Sequence, residues 1–350
     1  MSEIKTTSII PSIIFAFVLS IVLTGIMRKI AIKLEITDKP NFARKTQKEP
    51  VPYLGGLAII FSFLITVFMG IQFLSPSREV VNDMIFLLLP ATFLGFIGLW
   101  DDVKDLSPHF RLMIQVFMGL FGSLTITFGS TSGSATGNPT TDLILSIFWI
   151  VGVTNALNFF DNIDGGAAVA SFMSATGIAL YSFFTRQLYL FAFGLTLMGS
   201  LLGFFYWNRR PARIYMGDSG SLFLGILLAT ITMRIDPQTD SKWTSFAVPI
   251  LLLALPILDT SVVVLNRLSY RRSPLQGGRD HLSHRLSNRG IRHRYILYIF
   301  GGIALIFQLP IYVFLQVSSR VELILTFIAI AAFFLLFAWF SSNKVNYERD

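Results

Sequence analysis

Four short polar segments interrupt a largely apolar sequence, and each carries side chains suited to metal or phosphate chemistry. Two adjacent carboxylates, Asp101 and Asp102, stand in GLWDDVKDLSP. Asp218 stands in YWNRRPARIYMGDSGSL, VTNALNFFDNIDGG combines amides with carboxylates, and LQGGRDHLSHRLSNRGIRHR is rich in arginine and histidine. Carboxylate and amide oxygens are hard donors that suit Mg²⁺ or Mn²⁺, whereas guanidinium groups bind phosphate. Together the segments predict Mg²⁺-assisted phosphoryl transfer.

Each segment taken alone also has a purely structural explanation. Paired aspartates at a helix end are commonly solvated, asparagine and aspartate favour turns, and Asp218 could cap a helix. The arginines of 267–294 could be a topology signal or a patch for anionic lipids. The functional interpretation depends on convergence, because five or six carboxylates without equal local compensation repel one another and attract a divalent cation.

The composition predicts a membrane protein built as one unit. Of the 350 residues, 53% are hydrophobic, only 14% are charged and none is cysteine. Soluble domains carry about 25% charged residues, so a soluble enzyme, a disordered tail and a secreted disulfide scaffold are all disfavoured. At about 20 residues per helical crossing, the chain has no room for a separate soluble domain. We therefore expect residues 1–350 to form a single transmembrane catalytic domain.

The apolar runs predict an all-α, polytopic membrane protein with eleven spans. The runs are continuous and lack the period-two alternation of membrane β-strands. The predicted spans lie near 8–30, 52–73, 84–100, 110–129, 142–159, 166–184, 188–206, 219–235, 245–266, 295–317 and 321–340.

The basic residues predict the orientation of these spans. Of the 28 lysines and arginines, 22 fall on one side of the predicted topology and six on the other. The positive-inside rule places the larger group in the cytoplasm, with the amino terminus outside and the carboxy terminus inside. All four polar segments then face the cytoplasm, where a soluble and a lipid substrate could meet. The active site is expected in the loops 31–51, 101–110, 155–166, 207–218 and 267–294.

Five ordered motifs resemble one membrane enzyme family, the polyprenyl-phosphate N-acetylhexosamine-1-phosphate transferases. This family includes the phospho-MurNAc-pentapeptide translocase and the GlcNAc-1-phosphate transferases of bacterial surface polysaccharide synthesis. The motifs are PYLGG (52–56), DDVKD (101–105), NALNFFDNID (155–164), PARIYMGDSGS (211–221) and GGRDHLSHRL (277–286).

The resemblance implies a reaction at the cytoplasmic face of the cell membrane. A sugar 1-phosphate would pass from a UDP-N-acetylhexosamine to a polyprenyl phosphate, giving a polyprenyl-diphosphate sugar and UMP. The implied cofactor is Mg²⁺, for which Mn²⁺ could substitute. The implied partners are the two substrates and a second copy of the chain as a homodimer, with no nucleic acid.

The resemblance also assigns roles to the carboxylates. Asp218 matches the family's Mg²⁺-binding aspartate, and Asp101 and Asp102 match the acidic pair near the metal and the lipid phosphate. Asp102 is thus a second predicted metal ligand, and Asp101 corresponds to the residue commonly assigned as the base that deprotonates the acceptor. A phosphate monoester is already largely ionised at pH 7, because its second pKa is about 6, so a base contributes less than keeping the acceptor oxygen oriented.

Further positions match the family's substrate-binding segments. Asp164 is implied in uracil recognition, and Tyr215 matches an aromatic position that stacks on uracil. The histidine motif, which would bind diphosphate or sugar, contributes His281, His284, Arg279 and Arg285. The remaining expected substrate-binding residues are Lys48, Asn155, Asn158, Asp161 and Asn208.

Two departures from the family pattern narrow the expected donor. Ser283 stands where the histidine motif often has a third histidine, and the His-His-His triplet of the translocase branch is absent. GGRDHLSHRL is closer to the GlcNAc-1-phosphate branch, which disfavours a donor that bears a pentapeptide.

A secondary transporter of an anionic solute is the alternative from another functional class. Transporters place ionisable residues near the middle of the bilayer. Asp259, in ALPILDTSV, is the one carboxylate that falls clearly inside a predicted span, and Pro256 beside it could break that helix. The other acidic residues lie outside the spans or at their ends, which favours the enzyme.

Overall fold

The computed structural model describes residues 6–38, 50–127, 136–239, 241–274 and 278–342. Over these residues the protein is a bundle of helices with one short strand pair, β1 (Thr37–Asp38) and β2 (Val51–Pro52). The helices are α1 (Pro11–Lys33), α2 (Gly55–Leu74), α3 (Arg78–Lys104), α4 (Pro108–Thr127), α5 (Pro139–Phe160), α6 (Gly166–Phe184), α7 (Leu188–Asn208), α8 (Gly217–Arg234), α9 (Lys242–Leu252), α10 (Ala254–Ser269), α11 (Leu282–Asn288), α12 (His293–Phe314) and α13 (Ser319–Ser341).

Every predicted span coincides with a helix, but two details differ from the prediction. The ninth span is broken at Leu253 into α9 and α10, which meet at 82°. The acidic pair lies in the last turn of α3 and not in a loop, because α3 continues to Lys104 before Asp105 takes a left-handed conformation.

The number of membrane crossings remains a prediction. In the described part of the chain, eight helices are long and apolar enough to cross a membrane, and the bent pair of α9 and α10 would make nine. Helices α4 and α8 are outside this set. Helix α8 has only 18 residues, which include Asp218 and Arg234, and its residues from Ser219 to Thr232 are all buried.

Helix α8 is the centre of the bundle and packs against α2, α3 and α5. Glycines permit the close approach of these backbones. A Cβ on Gly98 of α3 would lie 2.3 Å from the backbone oxygen of Asp218, and one on Gly56 of α2 would lie 2.2 Å from the backbone nitrogen of Gly220. The acidic end of α3 is therefore held directly against the first turn of α8.

The outer helices present apolar side chains away from the protein. Only 17% of the most apolar stretch of α1, and of that of α13, is buried within the bundle. Phe148 of α5 is 77% exposed and Leu335 of α13 is 72% exposed. Such a surface is unfavourable in water and fits contact with lipid.

A small backbone network holds the loop before α8 in place. The N–H of Tyr215 donates to Pro52 of β2 over 2.8 Å, and the Tyr215 carbonyl accepts from the N–H of Gly55 over 3.0 Å. Since β2 pairs with β1, the segment before α8 is fastened to the segment that follows α1. This network sets where α8, and with it Asp218, begins.

Candidate active site

Asp218 lies at the N-terminus of α8 with a polar partner at each carboxylate oxygen. Its Oδ1 accepts from the Asn158 side-chain amide over 2.8 Å, and its Oδ2 is 2.7 Å from Arg111 Nη1. The Asn158 amide also donates to Ser221 over 2.9 Å. Asp218 and Asn158, which were predicted from two separate motifs, are thus in direct contact.

Asp102 holds the start of α8 by accepting backbone hydrogen bonds. Its Oδ1 accepts from the N–H of Asp218 over 2.8 Å, and its Oδ2 accepts from the N–H of Ser219 over 3.2 Å. The turn depends on Gly217, which has φ +70° and lies against the Asp102 carboxylate. Helix N-termini present unpaired N–H groups, so the carboxylate acts as a helix cap supplied by another helix.

Asp101 is buried and both of its oxygens are engaged. Its Oδ1 accepts from the N–H of Leu106 over 2.7 Å, and its Oδ2 is 2.6 Å from Arg111 Nη1. Arg111, whose side chain is 30% exposed, therefore bridges Asp101 and Asp218. The two members of the acidic pair act differently, because Asp101 anchors an arginine and Asp102 caps a helix.

The donor set fits a Mg²⁺ ion at Asp218. Within the residues the structure describes, no three acidic or histidine side chains form a metal cluster. Mg²⁺ needs only one or two carboxylates when substrate phosphates complete its shell, and the Asp218 side chain is 28% exposed. Asp102 fits less well as a ligand, since both of its oxygens accept from backbone N–H groups of α8, whereas the partners of Asp218 are side chains, which can turn away.

The amide and carboxylate segment begins in the last turns of α5 and contacts this cluster through Asn158. The Asn155 amide donates to the Gln115 side chain and to the Val151 carbonyl, so Asn155 braces α5 against α4. Burial, together with the negative charges of Asp218 and Asp164, raises the pKa of Asp161 to about 7. Asp161 is therefore close enough to sense Asp218, and negative charge accumulates at this end of the bundle.

Asn208 and Asp164 join two loops. The Asn208 side chain is buried, accepts from the N–H of Gly165 over 2.9 Å and donates to the Ile214 carbonyl over 2.9 Å. Asp164 Oδ2 accepts from the N–H of Ala212 over 3.2 Å. The structure thus gives Asn208 a role inside the protein, holding the loop before α8 to the loop after α5.

Tyr215 lies beside Tyr53 of the PYLGG motif. Their ring centroids are 6.2 Å apart, with the planes tilted by 52°. Burial raises the pKa of both phenols, as do nearby carboxylates that include Asp38. The two rings form an aromatic pair at the same end of the bundle as the acidic cluster, where a planar base could stack.

The histidine motif forms a second polar cluster, joined to the first by the end of α5. His281 Nδ1 is 2.7 Å from Oδ2 of the buried Asp259, and the His281 ring packs edge-on against Phe159, with centroids 6.4 Å apart. Ser283, in place of a third histidine, donates to the Asn162 side chain. Burial, and then the neighbouring His281, lowers the pKa of His284 to about 4, so His284 is neutral at pH 7.

The predicted basic residues differ in their surroundings. Arg285 is buried, and its guanidinium donates to the Asp280 and Phe340 carbonyls over 2.7 and 2.9 Å. The paired Arg267 outweighs the effect of burial on Asp280 and holds its pKa below the usual value. Arg279 is half-buried in the same segment. Lys48 lies outside the described residues.

Two residues of the site were not predicted as such from the sequence. In the sequence Arg111 is one of the 22 basic residues on the predicted cytoplasmic side, and its position ten residues after Asp101 is the signal that it could return to the acidic pair. The sequence shows Asp259 only as a carboxylate inside a predicted span. Its close contact with His281 gives this acid a local partner, which removes the feature that favoured a transporter.

Comparison with known proteins agrees with this geometry. Residues 84–236 match the family described as Glycosyl transferase family 4. A Bacillus subtilis (strain 168) protein, described as a probable undecaprenyl-phosphate N-acetylglucosaminyl 1-phosphate transferase, is 28% identical over 91% of this chain and 89% of its own. A phospho-N-acetylmuramoyl-pentapeptide-transferase of Streptococcus pneumoniae (strain Hungary19A-6) is 28% identical over 66% of this chain and 71% of its own. These similarities confirm the resemblance inferred from the five motifs, and the long apolar helices fit a multi-pass membrane protein.

Proposed function

We propose that this protein transfers an N-acetylhexosamine 1-phosphate, specifically GlcNAc 1-phosphate, from its UDP-sugar to a polyprenyl phosphate of the undecaprenyl type. The products are the polyprenyl-diphosphate sugar and UMP, in the first membrane step of cell-wall or surface polysaccharide synthesis. The observation that carries the proposal is the contact of Asp218 with Arg111 and Asn158 at the start of α8. The Bacillus subtilis relative, named as a transferase of this kind and similar over most of both chains, supports it.

The reaction takes place on the cytoplasmic side of the membrane. The excess of lysine and arginine around the site favours this orientation. A UDP-sugar is a soluble cytoplasmic anion, whereas a polyprenyl phosphate keeps its headgroup at the membrane surface. A site at the end of a helical bundle, with Arg111 partly exposed, gives both substrates access to the same groups.

Asp218 would hold the divalent cation, Mg²⁺ or in its place Mn²⁺. When bound, Mg²⁺ supplies positive charge that offsets the charge on the donor diphosphate. Asp102 keeps Asp218 in place through the first turn of α8. That turn also presents the positive end of a helix dipole, which favours an anion.

Arg111 binds phosphate oxygens once they replace the carboxylates as its partners. A guanidinium suits this role because it is always charged and can donate two parallel hydrogen bonds. Before substrate binds, Asp101 holds the Arg111 guanidinium in place, because its own carboxylate is fixed by the N–H of Leu106. We therefore assign Asp101 to positioning, consistent with an acceptor phosphate that is ionised without a base.

The uridine of the donor binds near the joined loops. Tyr215, paired with Tyr53, offers an aromatic face for uracil, and Asp164 offers a carboxylate that can accept from the uracil N–H. Asn208 contributes indirectly by holding these loops together. His281, His284 and Arg279 bind the diphosphate or the sugar.

The direct test is a transfer assay with purified protein, Mg²⁺, radiolabelled UDP-GlcNAc and undecaprenyl phosphate. We expect labelled lipid and UMP in equal amounts, and loss of both after chelation of the metal. Failure to form either product from UDP-GlcNAc, UDP-GalNAc or another UDP-N-acetylhexosamine would overturn the proposal.

A matched pair of variants links this activity to the site. Asp218→Asn keeps an acceptor for Asn158 but removes the negative charge, so we expect activity to be lost while the protein still folds. Asp105→Asn makes the same chemical change at an exposed residue that ends α3 in a left-handed conformation, which asparagine also tolerates. We expect this control to retain wild-type activity.

A further inference from the structure

Asp259 lies on α10 with none of its surface exposed, yet it carries a carboxylate. Both oxygens contact the histidine segment. Oδ2 is 2.7 Å from His281 Nδ1, and Oδ1 accepts from the backbone N–H of Leu282 over 2.7 Å. A buried carboxylate is costly without such partners, so these two bonds explain how a charge is tolerated inside a predicted span.

The contact with Asp259 determines which nitrogen of His281 a ligand can use. An ionised carboxylate only accepts hydrogen bonds, so Nδ1 carries the proton and donates. Over the described residues, no hydrogen-bond partner is found for Nε2 of His281. The ring is held at one edge by Phe159, with centroids 6.4 Å apart, and the neighbouring residue Asn158 contacts Asp218. Nε2 is thus the ring nitrogen left for a substrate at this end of the bundle.

We propose that Asp259 is a positioning residue, which fixes the tautomer and orientation of His281 so that Nε2 accepts a hydrogen bond from a hydroxyl or amide N–H of the donor sugar. In many proteins a carboxylate or carbonyl binds one ring nitrogen of a histidine whose other nitrogen contacts a ligand. This partner sets the orientation of the ring and determines which nitrogen is protonated. This inference rests on the proposed function. The bend between α9 and α10 fits this role, since α10 places the Asp259 carboxylate beside the histidine segment.

The competing explanation is that Asp259 only supports the fold by holding the start of α11 through Leu282. Asp259→Asn separates the two roles. Its amide oxygen can still accept from the Leu282 N–H, whereas its NH₂ group now faces His281 and favours the tautomer with the proton on Nε2. The loop keeps its anchor, and only the presentation of His281 changes.

The test compares the kinetics of the wild type, Asp259→Asn, His281→Asn and the double variant. His281→Asn is chosen because its amide can donate to Asp259 from nearly the position of Nδ1, while Nε2 is lost. We expect each single variant to lower kcat by about tenfold, the usual scale for one lost hydrogen bond to the substrate. The kcat of the double variant should be no lower than that of the less active single variant, because both substitutions remove the same contact of His281 with the substrate.

Other outcomes would overturn the inference. Full activity of Asp259→Asn, or effects that multiply in the double variant, would show that Asp259 does not act through His281. The melting midpoint is measured for every variant, and a loss of kcat that only follows the fraction of folded protein would equally contradict a positioning role. An inactive wild type would instead overturn the proposed function, and this inference with it.

Asp83→Asn provides the control for removing a carboxylate that has a charged partner away from the site. Asp83 is paired with Arg234 across 3.1 Å, and both lie at the opposite ends of α3 and α8 from the acidic cluster. This change lowers the melting midpoint by removing a carboxylate that offsets the charge of the buried Arg234. We expect the kcat of the folded fraction to match the wild type.

Discussion

Asp102 Oδ1 accepts a hydrogen bond from the backbone N–H of Asp218 over 2.8 Å, although the two residues lie 116 positions apart. The bond joins the end of one helix to the beginning of another. A carboxylate at a helix N-terminus is favourable because it meets unpaired N–H groups and the positive end of the helix dipole. The position of Asp218, and with it the proposed metal site, therefore depends on the close approach of α3 and α8.

We predict that Gly217→Ala lowers activity by at least about tenfold and lowers the melting midpoint. Gly217 has φ +70°, and a Cβ there would lie 2.5 Å from the Asp102 carboxylate. A non-glycine residue in this conformation costs about 1 kcal/mol, and the clash would also push Asp102 away from the start of α8. Transfer activity and thermal unfolding in detergent measure the two effects.

Gly137→Ala is the matched control for this prediction. Gly137 has φ +85°, but a Cβ there would meet nothing within 4 Å. It carries the same conformational cost without the clash, so we expect normal activity and a small fall in the melting midpoint. Equal loss of activity in both variants would show that the contact between Gly217 and Asp102 is unimportant.

We predict that Arg111→Gln has opposite effects on metal affinity and catalysis. Arg111 occupies Asp218 Oδ2, so its removal should lower the Mg²⁺ concentration needed for half-maximal thermal stabilisation by several-fold. The same change removes a cation proposed to bind the diphosphate, which we expect to lower kcat by about 100-fold. A Mg²⁺ titration followed by melting, and steady-state kinetics, check the two parts separately.

Lys104→Gln removes the same charge from an exposed residue at the end of α3. If Arg111 acts by contact, this control retains the wild-type Mg²⁺ dependence and kcat. Similar changes in both variants would mean that the total positive charge at this end of the bundle, and not the contact of Arg111, determines the Mg²⁺ dependence and kcat.

Much of this architecture could be predicted because the signals are local in the sequence. Apolar runs of about 20 residues mark the helices, and lysine and arginine bias predicts the side on which the polar segments meet. Asp218 and Asn158 could be named from their motifs, and the structure brings them into contact. The break at Leu253 could not be placed, because residues 250–258 form one continuous apolar run and only packing separates α9 from α10.

The partner of each polar side chain could not be predicted, because it depends on contacts between helices that are distant in the sequence. Nothing in DDVKD indicates that Asp101 faces Arg111 while Asp102 faces α8. Likewise, Asn208 and Arg285 have side-chain types that suit a ligand, yet both are buried against backbone groups of their own chain. Residue type suggests what a side chain can bind, and burial determines whether it is free to do so.

We predict that Asn208→Ala acts mainly on stability. The substitution removes two buried hydrogen bonds and leaves the Gly165 N–H and the Ile214 carbonyl without this partner, at a cost of about 1–3 kcal/mol each. The melting midpoint should fall by several degrees. Asn138→Ala, which removes an exposed cap at the start of α5, should have a smaller effect of about 1 kcal/mol. An increased KM for the UDP-sugar with an unchanged midpoint would instead indicate direct contact with the nucleotide.

We predict that Asp161 makes the metal-free protein less stable as the pH rises towards neutrality. Burial, with Asp218 and Asp164, raises its pKa from 3.8 to about 7. Between these values the folded protein holds a proton that the unfolded chain has lost, so stability falls as the pH rises. The contribution is complete below about pH 4 and is lost above about pH 7.

Melting midpoints measured across this range in the presence of a chelator should therefore decline with pH for the wild type. Asp161→Asn should decline less steeply, whereas Asn162→Ala, which removes no titratable group, should shift the curve without changing its slope. An unchanged slope in Asp161→Asn would mean that Asp161 is ionised throughout this range in the folded protein.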